Sequence, residues 1–271
     1  MQADTIEDTA RDTTGAPVRR VRIGRATLYH GDAVRILPSI EPGSMGALIT
    51  DPPYSSGGFT RGDRANQTAK DKYVSGGVRA DHNTDFGGDN RDQRSWLAWC
   101  AMWLDMCRVT LCEGAYAMVF TDWRQLPACT DALQAGGFVW RGIVPWDKTE
   151  SSRAPHTGYF RHQCEYIAWG SAGPLAAATH GGPWPGFIRE RVNPAEKLHM
   201  TGKPLHLMAE LVQAVPPGGA VLDPFMGSAS TGMAALASGR PFVGIEQSAH
   251  YFDVAVQRLR SHYGEGSLLA A

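Results

Sequence analysis

The chain has 271 residues, 43% of them hydrophobic and 20% charged, with 26 basic against 27 acidic side chains and a net charge of -1. Such a composition suits one soluble α/β domain with a proper core. It also excludes bulk positive charge as a means of meeting a nucleic acid, so any such partner needs a local basic face. The five cysteines, odd in number and without a Cys-x-x-Cys pair, argue against a disulfide framework or a metal site and for a reducing cytoplasm. No apolar run approaches membrane-spanning length, and the N-terminus has no apolar signal core.

In chain order, Met1 to Arg20 is polar and mixed in charge and reads as a disordered tail, leaving residues 21–265 as a single domain. Arg25 to His30 alternates weakly, as a strand does, and ends at Gly31-Asp32. Ala33 to Ile40 reads as a short helix with Asp32 as its N-cap. Ala47 to Thr50 is apolar without alternation, the mark of a strand buried on both faces. Pro52 and Pro53 must end it, since proline donates nothing to a ladder and pushes its predecessor out of the helical region. The stiff turn Asp51-Pro52-Pro53-Tyr54 therefore holds a carboxylate, a prolyl carbonyl and an aromatic face at the carboxyl edge of a sheet, where α/β folds bind ligands.

A carboxylate and a carbonyl together can accept both hydrogens of an amino group, while a ring stacks on the flat heterocycle that carries it. Accepting both draws the nitrogen lone pair out of conjugation and frees it to attack an electrophile. The plainer reading is an ordinary turn in which Asp51 caps a helix and Tyr54 packs nearby.

Ser55 to Gln93 is polar, rich in glycine and nearly balanced in charge, and reads as one long loop. Ser95 to Leu111 is a helix whose Trp96, Trp99 and Trp103 are expected to anchor the core. A buried strand over Ala115 to Thr121 and a helix over Trp123 to Gln134 follow, the latter stopped by Gly136-Gly137. Phe138 to Trp146 and Glu165 to Trp169 suggest an antiparallel pair, with Lys148 to His162 irregular between them. Ser171 to Leu198 reads as a second loop, carrying Trp184, Phe187, Arg189 and Arg191. There is no internal repeat.

Near the end, His199-Met200-Thr201-Gly202-Lys203-Pro204 precedes an amphipathic helix over Leu205 to Ala214. Thr201 and Lys203 could donate to a carboxylate, or Thr201 could merely cap the helix while Lys203 is solvated. Ala220 to Asp223 is a short strand running into Pro224-Phe225-Met226-Gly227-Ser228-Ala229, a small-residue turn before a helix over Thr231 to Ser238. Such a turn lets backbone N–H groups face an anion. The strand Phe242 to Glu246 ends in an acid placed to take two ribose hydroxyls, and a helix over Tyr251 to Arg260 closes the unit.

Asp51-Pro52-Pro53-Tyr54 resembles the catalytic motif of the DNA amino-methyltransferases, which methylate adenine N6 or cytosine N4. The segment Asp223-Pro224-Phe225-Met226-Gly227-Ser228-Ala229 is similar to their S-adenosyl-L-methionine motif Phe-x-Gly-x-Gly, with Ala229 departing at the second glycine. His199 to Pro204 resembles the His-x-Thr-x-Lys-Pro segment of the β class, and the order of motifs, catalytic turn first, matches that permuted class. The likeness runs in patches from about Leu28 to Leu259.

The resemblance implies a Rossmann-like fold, a mostly parallel seven-stranded sheet with one antiparallel strand. It implies S-adenosyl-L-methionine as cofactor, held by Asp32, Asp51, Thr201, Lys203, Pro204, Asp223, Phe225, Gly227, Ser228, Thr231 and Glu246. It further implies double-stranded DNA as substrate with a flipped target base, and a homodimer in the cytoplasm at the nucleoid. Asp51, rather than serine, at the head of the motif favours adenine N6 in family terms. Ser55 to Gln93 and Ser171 to Leu198 are the candidate DNA-reading loops by polarity and position. Three rivals stand beside this reading: a cytosine-N4 enzyme sharing every motif, a nicotinamide oxidoreductase, and a catalytically silent DNA-binding protein. The incomplete G-x-G-x-x-G pattern at Gly227, Ala229 and Gly232 tells against the oxidoreductase. Neither a recognition sequence nor a restriction endonuclease partner is written in the residues.

Overall fold

A computed structural model describes residues 5–54, 91–150, 157–175, 180–192 and 202–265. Its strands are β1 (Thr5–Arg11), β2 (Pro17–Ile23), β3 (Ala26–His30), β4 (Met45–Thr50), β5 (Leu111–Thr121), β6 (Val139–Asp147), β7 (Cys164–Ser171), β8 (Ile188–Arg189), β9 (Val221–Asp223) and β10 (Phe242–Glu246). They join into one ten-stranded sheet in the order β1-β2-β3-β10-β9-β4-β5-β7-β6-β8. The stretch from β3 to β6 is the expected seven-stranded core. Strands β3, β10, β9, β4 and β5 run parallel, and β7 is the reversed strand, antiparallel to both β5 and β6.

Two edges depart from the sequence reading. The expected tail is a strand pair from residue 5 onward: β1 and β2 form a hairpin that adds to β3. Polarity misled because this hairpin is an outer edge, with one face in water, where its charges pair across strands: Arg20 and Arg22 with Asp8, Arg19 with Glu7. At the other edge the two residues of β8 add to β6 within what reads as loop.

The helices are α1 (Ala33–Ile36), α2 (Gln93–Thr110), α3 (Leu126–Ala135), α4 (Leu205–Gln213), α5 (Ser230–Ala237) and α6 (Ala249–Glu265), with a 3-10 turn over Leu37–Ser39. Helix α3 starts later than the sequence suggests. The Asp122 carboxylate accepts from the backbone N–H groups of Arg124 and Gln125 and holds them in a turn, and Pro127 sits in the first helical turn. Buried side chains of α1, α2 and α3 fill one face of the sheet and those of α4, α5 and α6 the other, so that in β4 Leu48 faces one core while Ala47 and Ile49 face the opposite one. That double burial explains why β4 reads as an unbroken apolar run.

The placement of the site follows from the connections. From β4 the chain crosses through α2 to β5 on one side, while from β9 it crosses through α5 to β10 on the other. Strands β4 and β9 are neighbours, so the two crossovers leave in opposite directions and a crevice opens at the carboxyl ends between them.

Candidate active site

Both motif-bearing turns of the sequence flank that crevice. Thr50, the last residue of β4, donates its hydroxyl to Asp223 Oδ1 at 2.7 Å, tying the end of β4 to the end of β9 across 173 positions of chain. Asp223 is buried; its Oδ2 accepts from the Thr231 hydroxyl at 2.7 Å and its Oδ1 also from the Phe225 N–H at 3.1 Å. With hydroxyls and an amide but, among the described residues, no cation against it, burial pushes its carboxyl up to about 6. Asp223 thus shapes the turn that follows it, and Thr231 serves that carboxylate.

Ala229 stands where the family motif has its second glycine and adopts a left-handed conformation, φ 59° and ψ 42°. The backbone there keeps the shape glycine would give it, at the strain cost a Cβ brings. The Gly227 N–H donates to Glu246 Oε2 at 3.0 Å and the Ser248 N–H to Oε1 at 2.7 Å, which aims the Glu246 carboxylate along the crevice. Burial raises this carboxyl to about 7. Strand β10 approaches the turn closely at Gly244, where a Cβ would lie 2.3 Å from Met226 Sδ. Arg258, from α6, donates to the Ser228 carbonyl at 3.0 Å and the Ser230 hydroxyl at 3.1 Å. Asp32 caps α1, accepting from the Val34 N–H at 3.0 Å, and its neighbour Gly31 donates to the Glu246 carbonyl at 2.9 Å, so the Gly31-Asp32 corner lies beside Glu246. A fixed acid at a strand end beside a small-residue turn fits a ribose-bearing cofactor.

The other wall is the turn Asp51 to Tyr54. Pro52 is buried, and the Trp96 indole donates to the Pro53 carbonyl at 2.7 Å, so α2 pins the turn. Trp96 and Trp103 are indeed core residues. The Tyr54 hydroxyl donates to Asp51 Oδ1. Lys203 donates to Asp51 Oδ2 at 2.6 Å and to the Tyr54 hydroxyl at 3.1 Å. The same ammonium stands 3.2 Å from Glu165 Oε2, and Lys148 donates to Glu165 Oε1 at 3.0 Å. Rings of Phe120, Tyr54 and Trp146 surround the Lys203 nitrogen at 5.0, 5.3 and 5.9 Å.

Two buried acids and two ammonium groups are therefore matched, and their protonation follows. Burial raises the Asp51 carboxyl despite the pull of Lys203. Burial alone would raise Glu165 too, but Lys203 and Lys148 together hold it below the ordinary range. Burial would lower Lys203, and the Asp51 and Glu165 carboxylates more than reverse it.

Of the two sequence readings of Lys203, donor to a carboxylate or solvated, the contacts match the first, and the carboxylates it faces are Asp51 and Glu165. Pro204 precedes α4 directly. Thr201 lies outside the described residues, as do residues 55–90, 176–179 and 193–198 of the two candidate DNA-reading loops. Of their described parts, Arg91 lies 4.8 Å over the Trp99 ring, Asp92 caps α2, and Arg189 pairs with the buried Asp147 at 2.8 Å. Sequence reasoning missed Glu165 and Lys148. The signal was topological: β7 runs backwards, so its first residues lie at the active edge, with Glu165 paired to Trp146 and Tyr166 to Thr121.

Comparison with known proteins bears on this geometry. The family model of the N6/N4 DNA methylases matches residues 46–180 and 181–257. YubD of Escherichia coli (strain K12), named as a methylase, is 32% identical over 230 residues, 84% of this chain and 88% of that protein. Among solved structures, the M1.HpyAVI–SAM complex superposes with a TM-score of 0.61 at 23% identity, covering 86% of this chain and 98% of that one. The cytosine-N4-specific PvuII DNA methyltransferase does so at 0.62 and 14% identity, covering 89% and 92%. These two show the shared fold. On the strength of the family match and the extent of the YubD relationship, the chain belongs to the N6/N4 DNA methylase family.

Proposed function

We propose that the protein methylates the N6 amino group of adenine in double-stranded DNA, on a base flipped out of the helix. The observation that carries this reading is the pinned acid Asp51, on a prolyl turn at the mouth of the crevice and 21% exposed. The cofactor is S-adenosyl-L-methionine, which when bound supplies a sulfonium methyl open to attack by an amine. Glu246 would take the ribose hydroxyls, the Gly227-Ser228-Ala229 turn would let the cofactor approach the backbone, and Gly31-Asp32 would border its adenine. Asp51 and the Pro52 carbonyl accept the two amino hydrogens, localising the nitrogen lone pair, and Tyr54 stacks on the base. Transfer would form the N–C bond as the sulfonium S–C bond breaks, leaving the cofactor a neutral thioether, and the nitrogen, then cationic, would release one proton. Asp51, whose carboxyl burial has already raised, receives it. Holding amine and methyl in one crevice supplies much of the acceleration.

The competing reading is cytosine N4, drawn from the fold likeness to the PvuII enzyme, which is as close as that to M1.HpyAVI. The aspartate heading the motif, resembling adenine enzymes, favours N6. Incubation of unmethylated genomic DNA with the protein and labelled cofactor, followed by nucleoside mass analysis, tests it: N6-methyladenine is expected, and N4-methylcytosine alone overturns it. By family resemblance, the working form is a homodimer in the cytoplasm.

A further inference from the structure

The catalytic acid is already occupied. Asp51 Oδ1 accepts from the Tyr54 hydroxyl and Oδ2 from Lys203 at 2.6 Å, yet an incoming amine needs an Asp51 oxygen to accept its hydrogen. Something must let go. An ammonium has three hydrogens; among the described residues Lys203 places two of them, on Asp51 and on the Tyr54 hydroxyl. Close by stands an acceptor in waiting. Glu165 Oε2 is 3.2 Å from the Lys203 nitrogen, buried, and without a hydrogen-bond partner among the described residues. Its other oxygen is anchored by Lys148 at 3.0 Å.

We propose that Glu165 is a positioning residue that draws the Lys203 ammonium off Asp51 when the target amine enters, freeing Asp51 Oδ2 for the amine. The exchange is inexpensive because it leaves no bare charge. Before and after, two carboxylates and two ammonium groups share the cluster, and Lys148 keeps Glu165 in place while Lys203 shifts. Glu165 Oε2, within ion-pair reach of Lys203 but without a well-directed hydrogen bond, is explained as the destination of that shift. The inference rests on Asp51 as the amine acceptor.

The experiment is single-turnover methyl transfer to unmethylated genomic DNA by the full chain carrying Glu165→Gln, which keeps the shape but cannot hold the ammonium as an ion pair. The rate is expected to fall about ten- to a hundredfold with cofactor affinity and DNA affinity nearly unchanged, alongside a lower Tm, since Lys148 and Lys203 then face a single carboxylate. Glu165→Asp should recover part of the rate. In a Lys203→Met background, Glu165→Gln should cost little more, because no ammonium is left to move. Wild-type transfer by Glu165→Gln, a fall matched by lost cofactor binding, or full additivity with Lys203→Met each overturns the proposal. Failure of the underlying reading looks different: an active Asp51→Ala removes both, whereas an inactive Asp51→Ala beside a wild-type Glu165→Gln removes this hand-off alone.

Discussion

The two walls of the crevice bury acids in opposite ways. On the β9–β10 side, Asp223 and Glu246 are held by hydroxyls and backbone amides, with no cation in contact among the described residues, and both carboxyls rise. On the β4–β7 side, Asp51 and Glu165 share two lysines, and Glu165 falls below its ordinary range although it too is buried. Asp51, with Lys203 alone, still rises, so burial and partners oppose one another, and it takes the two ammonium groups at Glu165 to outweigh burial. The first wall is a rigid mould built on main-chain groups. The second is a set of exchangeable side-chain pairs, suited to a step in which an acceptor must change partners.

The contrast can be broken most severely at Asp51. Asp51→Ala is expected to lower methyl transfer by at least about a thousandfold while cofactor binding persists, because only that wall loses its acceptor. Parallel transfer assays and cofactor calorimetry check it, and a loss of both would show that the walls are not separable.

Glu246→Ala should do the reverse, weakening cofactor affinity by about tenfold to a hundredfold with DNA affinity intact, since it removes a charged acceptor and leaves two backbone N–H groups unpaired. Trp96→Phe, which takes away the indole donor to the Pro53 carbonyl, should destabilise the fold by about 1–3 kcal/mol in chemical denaturation and slow transfer more than it weakens cofactor binding.

The smallest effect is with pH. Glu246 rises from 4.5 to about 7 on folding and Asp223 from 3.8 to about 6, so the folded protein binds these protons more tightly than the unfolded chain does. Their contribution to stability is therefore full at acid pH and is lost as pH climbs through those raised values. Cofactor binding runs the other way, because the ribose hydroxyls need the Glu246 carboxylate. Affinity should drop at most about tenfold between about pH 8 and about pH 6, and Glu246→Gln should flatten that slope.

Much of the crevice is legible without coordinates where a function is carried by consecutive residues. Asp51 to Tyr54 announces itself because two prolines dictate one conformation whatever surrounds them, and Phe242 to Glu246 because an apolar strand ending in an acid is a local pattern. The hairpin over residues 5–23 is hidden by the same logic: β1 is exposed to water and has no apolar signature, the buried Val18, Val21 and Ile23 of β2 are interleaved with arginines, and those charges make sense only once paired with the facing strand.

The sequence by itself determined the α/β class, the two motif-bearing turns and the motif order, since each depends on local propensity and a short-range pattern. Only the tertiary structure decided that Thr50 clasps Asp223, that Trp96 pins the Asp51–Tyr54 turn, and that Glu165 and Lys148 join Asp51 and Lys203. Those contacts link residues far apart in the chain, and a reversed strand delivers two of them. Sheet order and strand direction, which no short window of residues contains, had to place them.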